Sequence, residues 1–202
     1  MSDFRVIATG MLGENCYLVR DAAHDRLFIV DPGDDADLIV GAAREMNCAE
    51  NVILLTHAHV DHIGAVPEVA RELGIKTVFL ASGDHAMYRS PENHLLPYLP
   101  AVSGLPAPAA EWNWETPELI PTPGHSPGGS CFYFRDKNLL IAGDTLFAGS
   151  VGRTDLPGGD FATLEKSIRE NLLTLPDTVK VYPGHGPATT IGRERAGNPY
   201  LQ

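Results

Sequence analysis

Val52-Ile53-Leu54-Leu55-Thr56 runs without a break into His57-Ala58-His59-Val60-Asp61-His62. The first five residues form a short, apolar, partly β-branched run, the pattern of a buried strand. The next six change character at once and bring three imidazoles and a carboxylate into one loop. A helix is expected from about Ile63 to Leu73, with Gly74 as its stop, and a strand from Thr77 to Ala81. Strand, polar loop, helix and strand in that order make an αβ unit and set the class of the chain as α/β.

Upstream, the pattern is one of short strands joined by turns. Phe4 to Ala8, Cys16 to Val19 and Leu27 to Val30 read as strands, the last ending in the turn signal Asp31-Pro32-Gly33. Asp34 to Met46 reads as a helix whose acids suit its N-terminus and whose apolar face carries Leu38, Ile39, Ala42, Ala43 and Met46. Downstream, residues 84–118 hold Pro91, Pro97, Pro100, Pro106, Pro108 and Pro117 with Trp112 and Trp114, and read as a lid or insertion with little regular structure. Strands resume at Leu119 to Thr122, Cys131 to Phe134, Leu139 to Ala142 and Val179 to Tyr182, with one helix at about Phe161 to Leu173. The expectation is a single domain over 1–202, built of two mixed sheets covered by helices.

Three further segments repeat the layout of the first, an apolar strand followed by a ligand-type residue: Ile120-Pro121-Thr122-Pro123-Gly124-His125, Leu140-Ile141-Ala142-Gly143-Asp144 and Val181-Tyr182-Pro183-Gly184-His185. Loops at the ends of neighbouring strands converge, so five histidines and two aspartates are expected at one sheet edge. Imidazole nitrogen and carboxylate oxygen suit zinc and other first-row divalent metals. His57 and His59, two apart on an extended segment, point to one side. Asp61 and His62 follow where the chain turns into a helix and can aim at a second position. Two cations roughly 3.5–4 Å apart would polarise a substrate oxygen and activate a shared water. His24, His85 and His94 have no such surroundings and are read as surface or lid residues.

Composition removes other classes. A formal net charge of −11 with no basic run disfavours nucleic acid, and 7% aromatic residues give no base-stacking platform. No apolar stretch approaches the roughly 20 residues that cross a bilayer, so no membrane partner is expected. The N-terminal residues show no secretory pattern. Cys16, Cys48 and Cys131 lack metal-type spacing and read as reduced thiols of a cytoplasmic protein. Gly124-His125-Ser126-Pro127-Gly128 matches the serine-hydrolase G-x-S-x-G pattern. That elbow needs a backbone N–H after the serine, and Pro127 has none.

The segment Thr56-His57-Ala58-His59-Val60-Asp61-His62 resembles the H-x-H-x-D-H signature of the metallo-β-lactamase-fold superfamily. Pro123-Gly124-His125-Ser126-Pro127-Gly128, Gly143-Asp144-Thr145 and Pro183-Gly184-His185-Gly186 complete its motif set in order. The resemblance runs from Val30-Asp31-Pro32-Gly33 onward and is nearest to the glyoxalase II-like hydrolases, in a short bacterial type. It implies an αβ/βα four-layer sandwich of two mixed β-sheets flanked by helices. It implies that His57, His59 and His125 hold one metal, that Asp61, His62 and His185 hold a second, and that Asp144 bridges both. Catalysis falls to Asp61 and Asp144, with two divalent ions, zinc first and iron or manganese as alternatives. The chain given ends 17 residues after His185, so no C-terminal helical substrate domain is expected.

The implied reaction is hydrolysis of a small-molecule thioester of the S-lactoylglutathione type by a metal-bridged hydroxide. Arg153 is the first candidate for contacting an anionic glutathione moiety; Arg193 and Arg195 are weaker ones. Gly152-Arg153-Thr154-Asp155-Leu156 also resembles persulfide dioxygenases of the same superfamily, which would use one iron held by His57, His125 and Asp144. Lactone or phosphoester hydrolysis is a further alternative, and a non-enzymatic metal module would show no turnover when fully loaded.

Overall fold

The computed structural model describes residues 3–90, 93–95 and 97–202. Pro91 of the proline-rich segment and the first two residues of the N-terminal reading lie outside them. The chain divides into two compact units, Met1–Glu111 and Trp112–Gln202.

The first unit is a five-stranded sheet in the order β1-β2-β3-β4-β5. Its elements are β1 (Phe4–Thr9), β2 (Glu14–Asp21), β3 (Arg26–Val30), α1 (Ala36–Met46), β4 (Glu50–Leu54), α2 (Val60–Ile63), α3 (Val66–Leu73), β5 (Val78–Phe79) and α4 (His85–Arg89). β1, β2 and β3 pair antiparallel; β3–β4 and β4–β5 are parallel. Leu27, Ile29, Ile53 and Leu55 pack in one core with Ile39, Val40, Ala43 and Met46 of α1 and with Val66, Val69 and Ala70 of α3. Phe28, Val30, Val52 and Leu54, on the alternate positions, are also fully buried. Burial on both faces is why these strands are continuous apolar runs rather than alternating ones.

Two helix boundaries differ from the sequence reading. α1 starts at Ala36, not Asp34, because Asp35 is left-handed (φ 49°) and its carboxylate accepts the Gly10 N–H at 2.9 Å. Leu38 is 59% exposed, outside the buried face. The helix expected from Ile63 is instead two, α2 and α3, with the break at Gly64–Ala65. Pro67 explains it: lacking an N–H, and with a ring that would strike the carbonyl of residue 63, it cannot sit inside a continuous helix. Gly74 ends α3 in the left-handed conformation, as expected. The 84–118 segment is largely irregular, with α4 and the isolated bridges Phe79–Ala109 and Leu95–Leu99.

The second unit is a five-stranded sheet in the order β12-β11-β8-β7-β6, with a separate two-stranded ribbon. Its elements are β6 (Glu118–Pro121), β7 (Ser130–Phe134), β8 (Leu139–Gly143), β9 (Leu146–Phe147), β10 (Ser150–Val151), α5 (Phe161–Ser167), β11 (Lys180–Pro183), β12 (Thr189–Thr190) and α6 (Ile191–Gly197). β8 and β11 are parallel and the remaining pairs antiparallel. Leu164, Ile168 and Leu172 cover Cys131, Tyr133, Leu140 and Val181. Asp160 caps α5 by accepting the Thr163 N–H at 2.7 Å. The helix expected to Leu173 passes into a wider π-helical turn over Ile168–Leu172.

The sequence reading missed α6. Thr190 caps it, accepting the Arg193 N–H at 3.2 Å. Glu194, buried in this helix, accepts from Thr189 Oγ1 (2.5 Å), Asn198 Nδ2 (2.9 Å) and the Gly149 N–H (2.8 Å). It thereby fastens α6 to the loop between β9 and β10. Glu194→Ala leaves the buried Thr189 and Asn198 donors without their acceptor, and is expected to cost about 3 kcal/mol, read as a lowered urea midpoint at unchanged slope.

The architecture is the α/β class with two mixed sheets and flanking helices. Among the described residues, no helix is long and apolar enough to cross a membrane.

Candidate metal centre

In the first unit, parallel pairing of β3 with β4 sets the site. Val30 stands opposite Leu54, and the Asp31 N–H donates to the Leu54 carbonyl at 3.0 Å. Asp31 therefore lies beside the point where the chain leaves β4. It is itself left-handed, φ 51°, a conformation aspartate tolerates better than most residues. Its Oδ1 accepts the Thr56 N–H at 2.7 Å, and its Oδ2 accepts the Thr56 hydroxyl at 2.6 Å.

That hydroxyl has one proton, and Asp31 takes it. Thr56 Oγ1, 3.0 Å from His57 Nδ1, can then only accept, so His57 carries its proton on Nδ1 and presents a lone pair at Nε2. His62 Nδ1 lies 3.1 Å from the same Asp31 Oδ2, and a carboxylate there again places the proton on Nδ1. One buried carboxylate thus sets the tautomer of two imidazoles, the outer-shell arrangement that metal-binding histidines require. Asp31, His57 and His62 have ligand-type atoms within 4.8 Å of one another. Three donors already occupy Asp31, which makes it the positioning member of the group.

The His57 ring is perpendicular to that of His59, with centroids 4.7 Å apart, and 4.1 Å from that of His62. Asp61 Oδ2 lies 3.9 Å from His62 Nε2. The loop is held from outside by Asp84, fully buried, which accepts the Ala58 N–H at 3.0 Å. Glu14, buried behind His62, accepts from the Thr9 hydroxyl at 2.8 Å, and desolvation pushes its carboxyl well above the usual range. The first unit therefore brings His57, His59, Asp61 and His62 together.

The second unit gathers the other three residues. His125 follows β6, Asp144 follows β8 and His185 follows β11. Asp144 Oδ2 lies 3.7 Å from His125 Nε2 and 3.9 Å from His185 Nε2. His125 Nδ1 is 2.7 Å from the Arg153 carbonyl, which can only accept, so His125 also carries its proton on Nδ1. Gly124 (φ 133°) precedes it because a Cβ there would sit 2.3 Å from the Leu164 backbone nitrogen. Gly152 brings its backbone so close to Asp144 that a Cβ would lie 1.8 Å from the Asp144 carbonyl oxygen and 3.2 Å from His125 Nδ1.

The chemistry of the donors fits a borderline divalent cation. His57, His62 and His125 are held in the tautomer that offers Nε2, and carboxylates stand within 4 Å of His62 and His125 on that side.

The remaining candidates fall elsewhere. The Arg153 guanidinium makes two bonds to Asp155, at 2.7 and 2.6 Å, and in return holds the Asp155 carboxyl down at about 2. What Arg153 gives the site is its carbonyl. Arg195 donates to the carbonyls of Leu173 and Leu175 and to Asp177, a structural pin for α6. His24 pairs with Asp21, His85 meets the Leu80 carbonyl, and His94 is exposed. Cys16 and Cys131 are buried and Cys48 half-buried; burial pushes the Cys16 thiol well up, leaving it inert.

Sequence reasoning passed over Asp31, Glu14 and Asp84. Asp31 was detectable: an acid one residue beyond a buried strand, in a unit whose next strand ends in a histidine loop.

Three comparisons bear on this arrangement. The family described as the Metallo-beta-lactamase superfamily matches residues 9–185. A Haemophilus influenzae protein named hydroxyacylglutathione hydrolase GloC is 34% identical, over 98% of this chain and 98% of its own. Among solved structures, the BLEG-1 B3 metallo-beta-lactamase superposes with a TM-score of 0.90 at 36% identity, covering 98% of this chain and 99% of that one. TTHA1623, described in a di-iron-bound form, gives 0.86 at 36% identity over 98% and 100%.

Proposed function

The chain belongs to the metallo-beta-lactamase superfamily, as a metal-dependent hydrolase acting on a small molecule, and from that premise we propose that it hydrolyses thioesters of the S-lactoylglutathione type. The observation that carries the reading is the fixed tautomer of His57, His62 and His125, each with Nδ1 spent on an acceptor. A name borne by a relative 34% identical over nearly the whole chain supports the thioester.

We assign His57, His59 and His125 to one cation, Asp61, His62 and His185 to another, and Asp144 to both. The two units then work as a single metallo-hydrolase domain over 1–202. Two bound divalent cations, zinc first with iron or manganese as alternatives, would supply Lewis acidity and lower the pKa of a water; a di-iron relative supports the count. Among the chain's own groups, Asp31 holds His57 and His62 in register, the Arg153 carbonyl does so for His125, and Asp61 and Asp144 orient the attacking water. No side-chain nucleophile is called for. Three cysteines with no disulfide among the described residues support a cytoplasmic setting.

The test is metal analysis with activity. Two cations per chain, loss of S-lactoylglutathione hydrolysis on chelation, and recovery with zinc, iron or manganese are expected. Full turnover by the demetallated protein overturns the reading. One iron per chain, with oxygen consumed on glutathione persulfide, replaces it with the dioxygenase.

A further inference from the structure

Beside Asp61, in the first unit, a cavity of about 300 Å³ opens between the β1–β2 turn, the Gly33–Asp34 turn, the start of α2 and the strap at residues 99–102. We infer that it is an acyl pocket, taking an uncharged, apolar acyl chain and refusing one that ends in a carboxylate. This rests on the thioesterase reading and names the substrate class within it.

The walls are mainly apolar: Met11, Leu12, Val60, Leu99 and Val102. The charged residues lining it are Glu14, Asp34 and Asp61, and no lysine, arginine or histidine is among the described lining residues. A carboxylate at the far end of the chain would lose water and find no cationic side chain in these walls to pair with, only the carboxyl groups of Glu14 and Asp34 away from the assigned metal ligand Asp61.

The walls are also held in shape. Gly10 and Gly13, both at positive φ, close the turn through the Gly13 N–H to the Gly10 carbonyl, and Asp35 pins it by accepting the Gly10 N–H at 2.9 Å. The pinned turn presents Met11, 69% exposed, and Leu12. An unbranched, adaptable methionine held out into water beside a candidate reaction centre is suited to covering a variable chain. Opposite it, Leu99 and Leu95 exchange two backbone bonds of 2.9 Å, which set the strap. The volume stands at the low end of small-ligand pockets, about 300–1,000 Å³, the size for a short to medium chain.

The experiment uses the metal-loaded protein and four thioesters of N-acetylcysteamine, whose small neutral thiol carries no charge: acetyl, hexanoyl, adipoyl and 6-(trimethylammonio)hexanoyl. Each buried methylene is worth roughly fourfold, so hexanoyl, with four more methylenes than acetyl, should exceed it in kcat/KM by at least about tenfold with two of them covered and by about 250-fold with all four covered. It should exceed adipoyl by about a hundredfold, a full desolvation penalty. Met11→Lys should narrow the hexanoyl-to-adipoyl gap by about two- to fivefold, since a cation then stands at the exposed mouth. Adipoyl equal to hexanoyl, or the trimethylammonio substrate above it, overturns the inference. Turnover of none of the four, with S-lactoylglutathione also left intact, overturns the thioesterase reading instead. Calorimetric binding of the S-hexyl and S-(5-carboxypentyl) thioethers of the same thiol then decides the pocket. Tighter S-hexyl binding sustains it, and equal or tighter carboxypentyl binding removes it.

Discussion

Asp31→Ala is expected to strip metal from the protein and to destabilise it in the same step. Loss of one outer partner lowers metal affinity by about 10–100-fold; here one carboxylate serves His62 directly and His57 through Thr56, so the upper end applies. Without Oδ2, the Thr56 hydroxyl is released to donate toward His57 Nδ1, which moves that ring's proton to Nε2 and blocks its lone pair. The buried Thr56 N–H and His62 Nδ1–H lose their acceptors, at about 1–3 kcal/mol each. Competition with a chelator measures the first effect and urea unfolding of the metal-free protein the second. Nitrogen-15 spectra report the tautomer independently: His57 should switch from Nδ1–H to Nε2–H. Asp31→Asn, which keeps the volume but turns an amide donor toward existing donors, should fail similarly. An unchanged tautomer in both variants would refute the argument.

Gly152→Ala is expected to be the most damaging single methyl group in the second unit. Its Cβ would stand 1.8 Å from the Asp144 carbonyl oxygen, which belongs to backbone and cannot rotate away. Accommodating it displaces Asp144 and presses on His125 Nδ1. Overpacking a core side chain costs about 1–3 kcal/mol, and a backbone collision exceeds that, against a typical total stability of about 5–15 kcal/mol. Gly33 makes the equivalent approach to the Asp61 carbonyl, also at 1.8 Å, so Gly33→Ala should behave alike. Gly41→Ala is the control. It lies within α1 with nothing within 4 Å of its Cβ, and should gain about 0.5–1 kcal/mol. Soluble yield and urea midpoints separate the three.

The fold class and the ligand-type residues were legible because each rests on a local pattern. Continuous apolar runs marked β3, β4, β7 and β8, and the histidine or aspartate after each of four strands marked the loops. What escaped depends on neighbours distant in sequence. Asp31 looks like the head of a turn until β3 and β4 are known to be parallel and in register. Arg153 looks like a free cation until Asp155 is seen to hold it, and its contribution comes from a carbonyl that every residue has. The α2–α3 break was readable from Pro67. α6 hid behind two glycines, Gly192 and Gly197, that lower helix propensity, and is held instead by the Thr190 cap and the Glu194 bonds.

The parallel pairing of β3 and β4 has a kinetic side. Antiparallel β1 and β2 can zip through a short turn, whereas β4 reaches β3 only after the chain has wound through α1. Until that crossover docks, Leu27–Val30 and Val52–Leu55 are two sticky segments with open edges, the kind that recruit a neighbouring chain. The interval in which a nascent chain is open to aggregation therefore lengthens or shortens with how fast one eleven-residue helix finds its seat.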